Sequence, residues 1–184
     1  MVKLILVNAG KKYEYGVHEP MHLLALAAYA KKFGHKVAIA DQIARENVFK
    51  KIKRLNPDFV GITATTAVID DAYEIADWCR KNGFKTILGG VHVSVMSDEA
   101  LLHGDYVVIG EGENALVKIL EGKAEKGIVK GEVIKDIDTL PKINRDLINV
   151  KYYQKAKDRN PGSHLHFVPP NTRLNSIMAT RGCP

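Results

Sequence analysis

The sequence predicts an α/β chain built on a doubly wound, five-stranded parallel sheet, and three observations carry this. Five short apolar runs begin at Lys3, Lys36, Phe59, Lys85 and Tyr106. Between them lie segments whose apolar residues recur at helical spacing, with short connections throughout. Three of the runs end in loops rich in glycine or hydroxyl groups, at the edge where open α/β sheets bind ligands.

Lys3 to Val7 is apolar without alternation, as expected of a central strand covered on both faces. After a loop from Asn8 to Glu19, Pro20 stands at the first position of a helix whose apolar face is Leu23, Leu24, Ala27 and Ala30, and Gly34 ends it. His35 to Asp41 reads as the second strand. Val48, Ile52 and Leu55 are the buried stripe of a second helix, stopped by Asn56-Pro57. Phe59 to Thr63 is the third strand, leading into Thr63-Ala64-Thr65-Thr66. Ala72, Ile75, Ala76 and Cys79 line the inner face of the third helix, with Asp70 and Asp71 in its first turn. Lys85 to Leu88 runs into Gly89-Gly90-Val91-His92-Val93-Ser94, read as a glycine turn. Ser97 reads as the cap of a short helix. Asp105 to Ile109 is the fifth strand, followed by Gly110-Glu111-Gly112-Glu113 and a helix burying Leu116, Ile119 and Leu120. Five such units fit the flavodoxin-like (Rossmann-like) strand order 2-1-3-4-5. Beyond Gly122 the pattern changes. Ile128 to Ile134 reads as a small hairpin, and the chain from Asp136 to Pro170 as mostly loop.

Composition excludes several classes. Hydrophobic content of 46% and charged content of 26% describe an ordinary folded chain. The longest apolar run, Leu23 to Ala30, is far below the ~20 residues of a membrane span. Met1 leads directly into a strand pattern, so no signal peptide is read and the expected location is cytoplasmic. Two cysteines do not make a disulfide framework. The net charge of +6 comes from scattered pairs such as Lys31-Lys32 and Arg80-Lys81, without interleaved aromatic residues, so a nucleic-acid partner is not indicated.

Residue types at the strand ends narrow the ligand. Asn8 and Thr63 stand where a phosphoryl-accepting receiver domain needs acidic residues. Asn8-Ala9-Gly10-Lys11 is neither a flavodoxin phosphate loop nor the start of G-x-G-x-x-G. One hydroxyl loop and two glycine turns on adjacent strands leave a crevice offering backbone N–H groups and side-chain donors.

Several segments go further. Glu19-Pro20 through Leu26-Ala27-Ala28-Tyr29, Gly34-His35-Lys36-Val37, Thr63-Ala64-Thr65 followed by Gly89-Gly90, and Gly110-Glu111-Gly112-Glu113 resemble the cobalamin (vitamin B12)-binding domain that precedes a radical S-adenosylmethionine (SAM) domain. The likeness covers essentially the whole chain. Asp136-Ile137-Asp138-Thr139-Leu140-Pro141 is similar to that family's interdomain linker. Thr180-Arg181-Gly182-Cys183-Pro184 is similar to the opening of its C-x-x-x-C-x-x-C loop.

The resemblance implies a cobalamin site formed by Gly10, Thr63, Thr65, Gly89, Gly90, His92, Ser94, Gly110, Glu111, Gly112 and Glu113. Thr63 and Thr65 stand for the family's Ser-x-Leu pair, and His92 is expected on the cofactor's nucleotide tail. Gly90→Val is expected to block the tail while leaving the fold intact. The Asp-x-His-x-x-Gly signature of other B12 domains is absent, so the lower face of cobalt is expected to lack a protein imidazole. His18 and His22 lie near that loop and are read as surface or cap-region residues, although His22 replaces a glycine common in the family. Cys183 is the first of three thiolates that hold a [4Fe-4S] cluster in the full-length enzyme. The implied organisation is residues 1–125 as the cobalamin domain, 126–174 as hairpin and interdomain linker, and 175–184 as the start of a truncated radical SAM domain. That catalytic domain is the expected partner, carrying methyl transfer or a radical rearrangement or cyclisation. The 184 residues alone are expected to be inactive. The alternative is a vestigial fold without cofactor, serving as an interdomain or protein-interaction module.

Overall fold

The computed structural model describes residues 1–11, 18–156 and 175–177. Six parallel strands form one sheet in the order β2-β1-β3-β4-β5-β6. They are β1 (Lys3–Asn8), β2 (Lys36–Asp41), β3 (Phe59–Thr63), β4 (Lys85–Gly89), β5 (Tyr106–Ile109) and β6 (Gly127–Lys130). The helices are α1 (Met21–Lys32), α2 (Val48–Leu55), α3 (Ile69–Lys81), α4 (Val91–Val95), α5 (Ser97–His103), α6 (Gly112–Leu120) and α7 (Val150–Ala156).

Every residue from Leu4 to Val7 is buried because the two faces of β1 meet different helices. Leu4 and Leu6 join a core with Leu23, Leu24, Leu116 and Ile119 of α1 and α6. Ile5 and Val7 join a second core with Val48, Ile52, Ile75 and Cys79 of α2 and α3. This two-sided cover is why the run does not alternate. Cys79 is fully buried and desolvation pushes its thiol up to about 12, so it packs as an inert small hydrophobe.

The expected order 2-1-3-4-5 is present, with one strand more than the sequence suggested. The hairpin expected at Ile128 to Ile134 is a single edge strand, β6, parallel to β5 and registered Tyr106↔Gly127 through Ile109↔Lys130. It cannot turn back on itself because of where the chain goes next. Gly131 N donates to Ile109 O at 2.8 Å, and a Cβ at Gly131 would lie 1.7 Å from Glu111 O. Ile134 N then donates to the Glu111 carboxylate at 2.7 Å. The apolar pair Val133-Ile134 therefore crosses the end of the sheet and does not pair with β6.

Local expectations also shift. The glycine turn is confined to Gly89-Gly90, since Val91 already opens α4. Ser97 is the first residue of α5, and the cap position before it is held by Met96, which makes no side-chain capping bond. Pro20 precedes the first residue of α1, its carbonyl accepting from the N–H groups of Leu23 and Leu24.

The segment after Asp136, read as mostly loop, is fastened to the sheet domain over residues 136–156. Lys32 Nζ donates to Thr139 O at 3.4 Å, and Ile143, Leu147 and Ile148 pack on the α1–α6 core. At the far end Tyr153 is buried and its hydroxyl donates to Asp41 Oδ2 at 2.5 Å. The segment thus climbs along α1 from the amino edge to the carboxyl edge of the sheet. No helix among the described residues is long and apolar enough to cross a membrane.

Candidate binding site at the carboxyl edge of the sheet

The loops leaving β1, β3, β4 and β5 surround a cavity of about 530 Å³, within the range of small-molecule pockets. Parallel register brings the loops together: Asn8 pairs with Thr63, and Thr63 with Gly89. The floor is apolar, made by Leu6, Ile62, Ile87 and Val108 from the strands. Leu23, Leu26 and Leu116 close the sides from α1 and α6. Polar groups stand at the rim: Asn8, Thr63, Thr65, Glu111 and Glu113, with His18, Glu19 and His22 from the start of α1.

Of the residues assigned from sequence, Thr63, Thr65, Gly89, Gly90, Gly110, Glu111, Gly112 and Glu113 line this cavity. Gly90 adopts a left-handed φ of 107°, and a Cβ there would lie 2.7 Å from Thr63 Oγ1 and 2.8 Å from Ala64 O. The β3 and β4 loops therefore touch backbone to backbone. Gly90→Val would push the two loops apart, so the expectation of an intact fold does not hold at that position. Gly89 is the cleaner probe. It has an ordinary φ, it shares a strand face with Ile87, and its Cβ would meet only Val108 atoms at 3.9 Å.

Gly10, His92 and Ser94 are not among the lining residues. Gly10 N donates to Gln42 Oε1 at 2.8 Å. His92 Nδ1 bonds Thr66 Oγ1 at 3.1 Å, its Nε2 lies 3.6 Å from Glu99 Oε1, and its ring meets Tyr73 edge-on. It ties the start of α4 to the β3 loop. Ser94 Oγ accepts from Gly110 N at 3.2 Å and links the β4 and β5 loops in the same manner. Glu111 lines the cavity, yet one of its carboxylate oxygens accepts from Ile134 N. Cys183 lies outside the described residues, and among those described no group of three or more His, Cys, Asp or Glu side chains is arranged to hold a metal.

Two wall histidines face the space that a planar ligand would fill. His22 is solvent-accessible through the cavity but surrounded by protein mass, and that desolvation lowers its pKa below the ordinary 6.5. Burial there favours the neutral imidazole over the charged form. Glu19, which the sequence reading placed at the end of the first loop and did not assign to the site, is a wall residue held by remote parts of the chain. Its carboxylate accepts from Arg145 Nε at 3.1 and 3.3 Å and from Ser176 N at 3.2 Å. The topology held a signal for it: the residue before a first crossover helix stands at the carboxyl edge, beside the strand-end loops.

The family model described as the B12-binding domain matches residues 12–120. The chain belongs to the B12-binding domain family. Curated relatives are longer proteins of which it spans a minor part. A bacteriochlorophyllide d C-8(2)-methyltransferase of Chlorobaculum tepidum is 34% identical over 127 residues, covering 69% of this chain and 26% of that protein. An anaerobic magnesium-protoporphyrin IX monomethyl ester cyclase of Cereibacter sphaeroides is 31% identical over 90 residues, covering 46% of this chain and 14% of that protein. Among solved structures, the radical S-adenosylmethionine methyltransferase TsrM from Kitasatospora setae superimposes with a TM-score of 0.57 at 19% identity, covering 68% of this chain and 27% of that one. At that identity the likeness concerns the fold of this B12-binding domain.

The cavity's chemistry fits the cofactor. An apolar floor under a polar rim that includes the Thr63 and Thr65 hydroxyls suits a flat aromatic group with a polar attachment. Gly89 and Gly90 leave the β4 side of that wall as bare backbone opposite Thr63 and Thr65.

Proposed function

We propose that this chain binds cobalamin at the carboxyl edge of its sheet, as the cofactor-positioning domain of a larger cytoplasmic radical SAM enzyme. The observation that carries the proposal is the coincidence of two things. A B12-binding family match over 12–120 falls on a chain whose β3 and β4 loops, Thr63–Thr65 and Gly89–Gly90, wall an apolar cavity of about 530 Å³. Thr63, Thr65, Gly89 and Gly90 would hold the nucleotide tail, and Gly110 to Glu113 the edge of the corrin. Gly10, His92 and Ser94 support these loops from behind. The cofactor supplies methyl transfer or radical chemistry when bound. This chain's residues bind it, orient it and exclude water beneath it.

The rest of the organisation belongs to the same proposal. Residues from about 126 to 174 join the cobalamin domain to a catalytic domain that opens at 175–184, with Cys183 the first ligand of its [4Fe-4S] cluster beside SAM. The reaction is methyl transfer or a radical rearrangement or cyclisation, by analogy with the named relatives. On this reading the lower face of cobalt would carry no protein imidazole, and His18 and His22 on the cavity wall are the side chains that test it. The support is that Asn8-Ala9-Gly10 offers no histidine and that Asn8 and Gly10 are already bonded to Asp41 and Gln42.

Titration of the chain with hydroxocobalamin, followed by absorbance, tests the site. Gly89→Val is expected to keep the circular dichroism and melting temperature of the native chain and to weaken binding at least ~10-fold, since the branched side chain occupies the tail's path. Electron paramagnetic resonance of the Co(II) form is expected to show no superhyperfine splitting from a protein nitrogen, and no change in His18→Ala or His22→Ala. A nitrogen splitting lost in either variant would assign the lower ligand to that histidine. No uptake by the native chain would leave the vestigial interaction module as the better account.

A further inference from the structure

Glu19 gathers three parts of the chain that are remote in sequence. Its side chain is only 5% exposed, it lines the cavity, and it receives Arg145 and Ser176 from 126 and 157 residues away. Arg145 in turn donates through a terminal nitrogen to Ser176 O, and that nitrogen lies 3.8 Å from Met21 Sδ at the start of α1. A second anchor behaves alike. Tyr153 holds Asp41, whose other carboxylate oxygen accepts from Nδ2 of Asn8, a cavity residue, at 3.2 Å. These two anchors of the C-terminal extension, unlike the Lys32–Thr139 contact at the amino edge, end on the cavity wall or one residue behind it.

A carboxylate this buried is stable only while its partners stay. If the extension lifts away, Glu19 loses its guanidinium and must be rehydrated at the cavity wall. A ligand filling the cavity opposes that rehydration and so binds the docked form better than the undocked one. By linkage the effect is reciprocal: whatever docks the extension strengthens the ligand, and the ligand strengthens docking by the same factor.

We infer that Glu19, through Arg145, makes occupancy of the cavity and docking of residues 136–156 and 175–177 a single linked equilibrium. The inference rests on the proposal that hydroxocobalamin fills this cavity. Arg145 is the positioning residue to change, because it does not line the cavity and the cavity residue it touches is Glu19.

The experiment measures amide exchange by mass spectrometry, with and without saturating hydroxocobalamin, alongside the binding constant, on residues 1–184. In the native chain the ligand is expected to slow exchange in peptides covering 143–148 and 175–177. Arg145→Gln is expected to speed exchange there roughly 10-fold, as for loss of a charge-assisted hydrogen bond. It should also weaken hydroxocobalamin about fivefold, at the low end of measured coupling. Lys118→Gln, which breaks the exposed ion pair with Glu132 away from the cavity, should change neither. Unchanged exchange in Arg145→Gln would overturn the latch. Faster exchange with unchanged affinity would overturn the coupling and leave a simple tether. Failure of the native chain itself to bind would strike the functional proposal, and the coupling with it, a result distinct from either variant outcome.

Discussion

Asp41 and Asp105 stand at opposite edges of the sheet, and their carboxyls are pushed in opposite directions. Asp41 closes β2 beneath Tyr153. Desolvation raises its pKa above 3.8, against the opposing hydrogen bonds from Tyr153, Asn8 and the amides of Ala44 and Ile43. A carboxyl raised by folding favours the native state most when it is protonated in both states, below 3.8. That contribution fades as pH rises through its folded value. Asp41→Asn does not titrate. The stability of the native chain minus that of the variant, from urea unfolding, should therefore fall between pH 4 and neutrality. A difference that grows with pH would show that the hydrogen bonds outweigh burial. At this scale the glycines were legible in the sequence and the carboxylates were not. A Gly-Gly after a strand announces missing side chains, and Gly90 meets Ala64 as that predicts. Nothing local marks the bond of Glu19 to Arg145 or that of Asp41 to Tyr153, each made across more than 100 residues.

Between elements, the pairing of β4 with β5 is short, registering Ile87↔Tyr106 and Leu88↔Val107. A side-chain clamp starts it. Asp105 Oδ2 accepts from Thr86 N at 2.9 Å and from Thr86 Oγ1 at 3.1 Å, while Thr86 Oγ1 accepts from Asp105 N at 3.0 Å. Burial would raise the Asp105 carboxyl, but Lys126 and the Thr86 donors together hold it below 3.8. Thr86 is fully buried, so truncating Asp105 strands an amide and a hydroxyl. Asp105→Ala should cost about 1–3 kcal/mol in chemical denaturation. Lys126→Ala should cost clearly less than Asp105→Ala, because the lysine is exposed and its ion pair is screened by solvent. Equal effects would mean that the ion pair, and not the clamp, sets the β4–β5 register. The five strands expected from the sequence were legible because each is an apolar run with buried residues on both faces. β6 was not: its residues alternate between half-buried and exposed, and an edge strand of four residues looks like either arm of a hairpin. Only the close crossing of Gly131 over Glu111 decides between them.

Over the whole molecule, stability should grade outward from the centre of the sheet, and amide exchange measures that gradient. β1, β3 and β4 each lie between two neighbours and under helices on both faces, with Ile5, Val7, Val60 and Leu88 at 0% exposure. Their amides should open only with global unfolding. β6 has one neighbour and half-exposed faces, so it should exchange through local opening, faster than β5 beside it. The extension demands a finer expectation than the uniform mobility of a linker. Residues 131–136 have the Ile134–Glu111 bond, whereas 143–148 rest on the α1–α6 core and Tyr153 is buried against Asp41. Protection should therefore fall after β6, recover over 143–153, and stay below that of β1 throughout. Flat, rapid exchange from 131 to 156 would mean that the apolar contacts of Ile143, Leu147 and Ile148 do not persist in solution. Protection equal to that of β1 would make the extension part of the central cooperative unit, and removing it would then unfold the sheet.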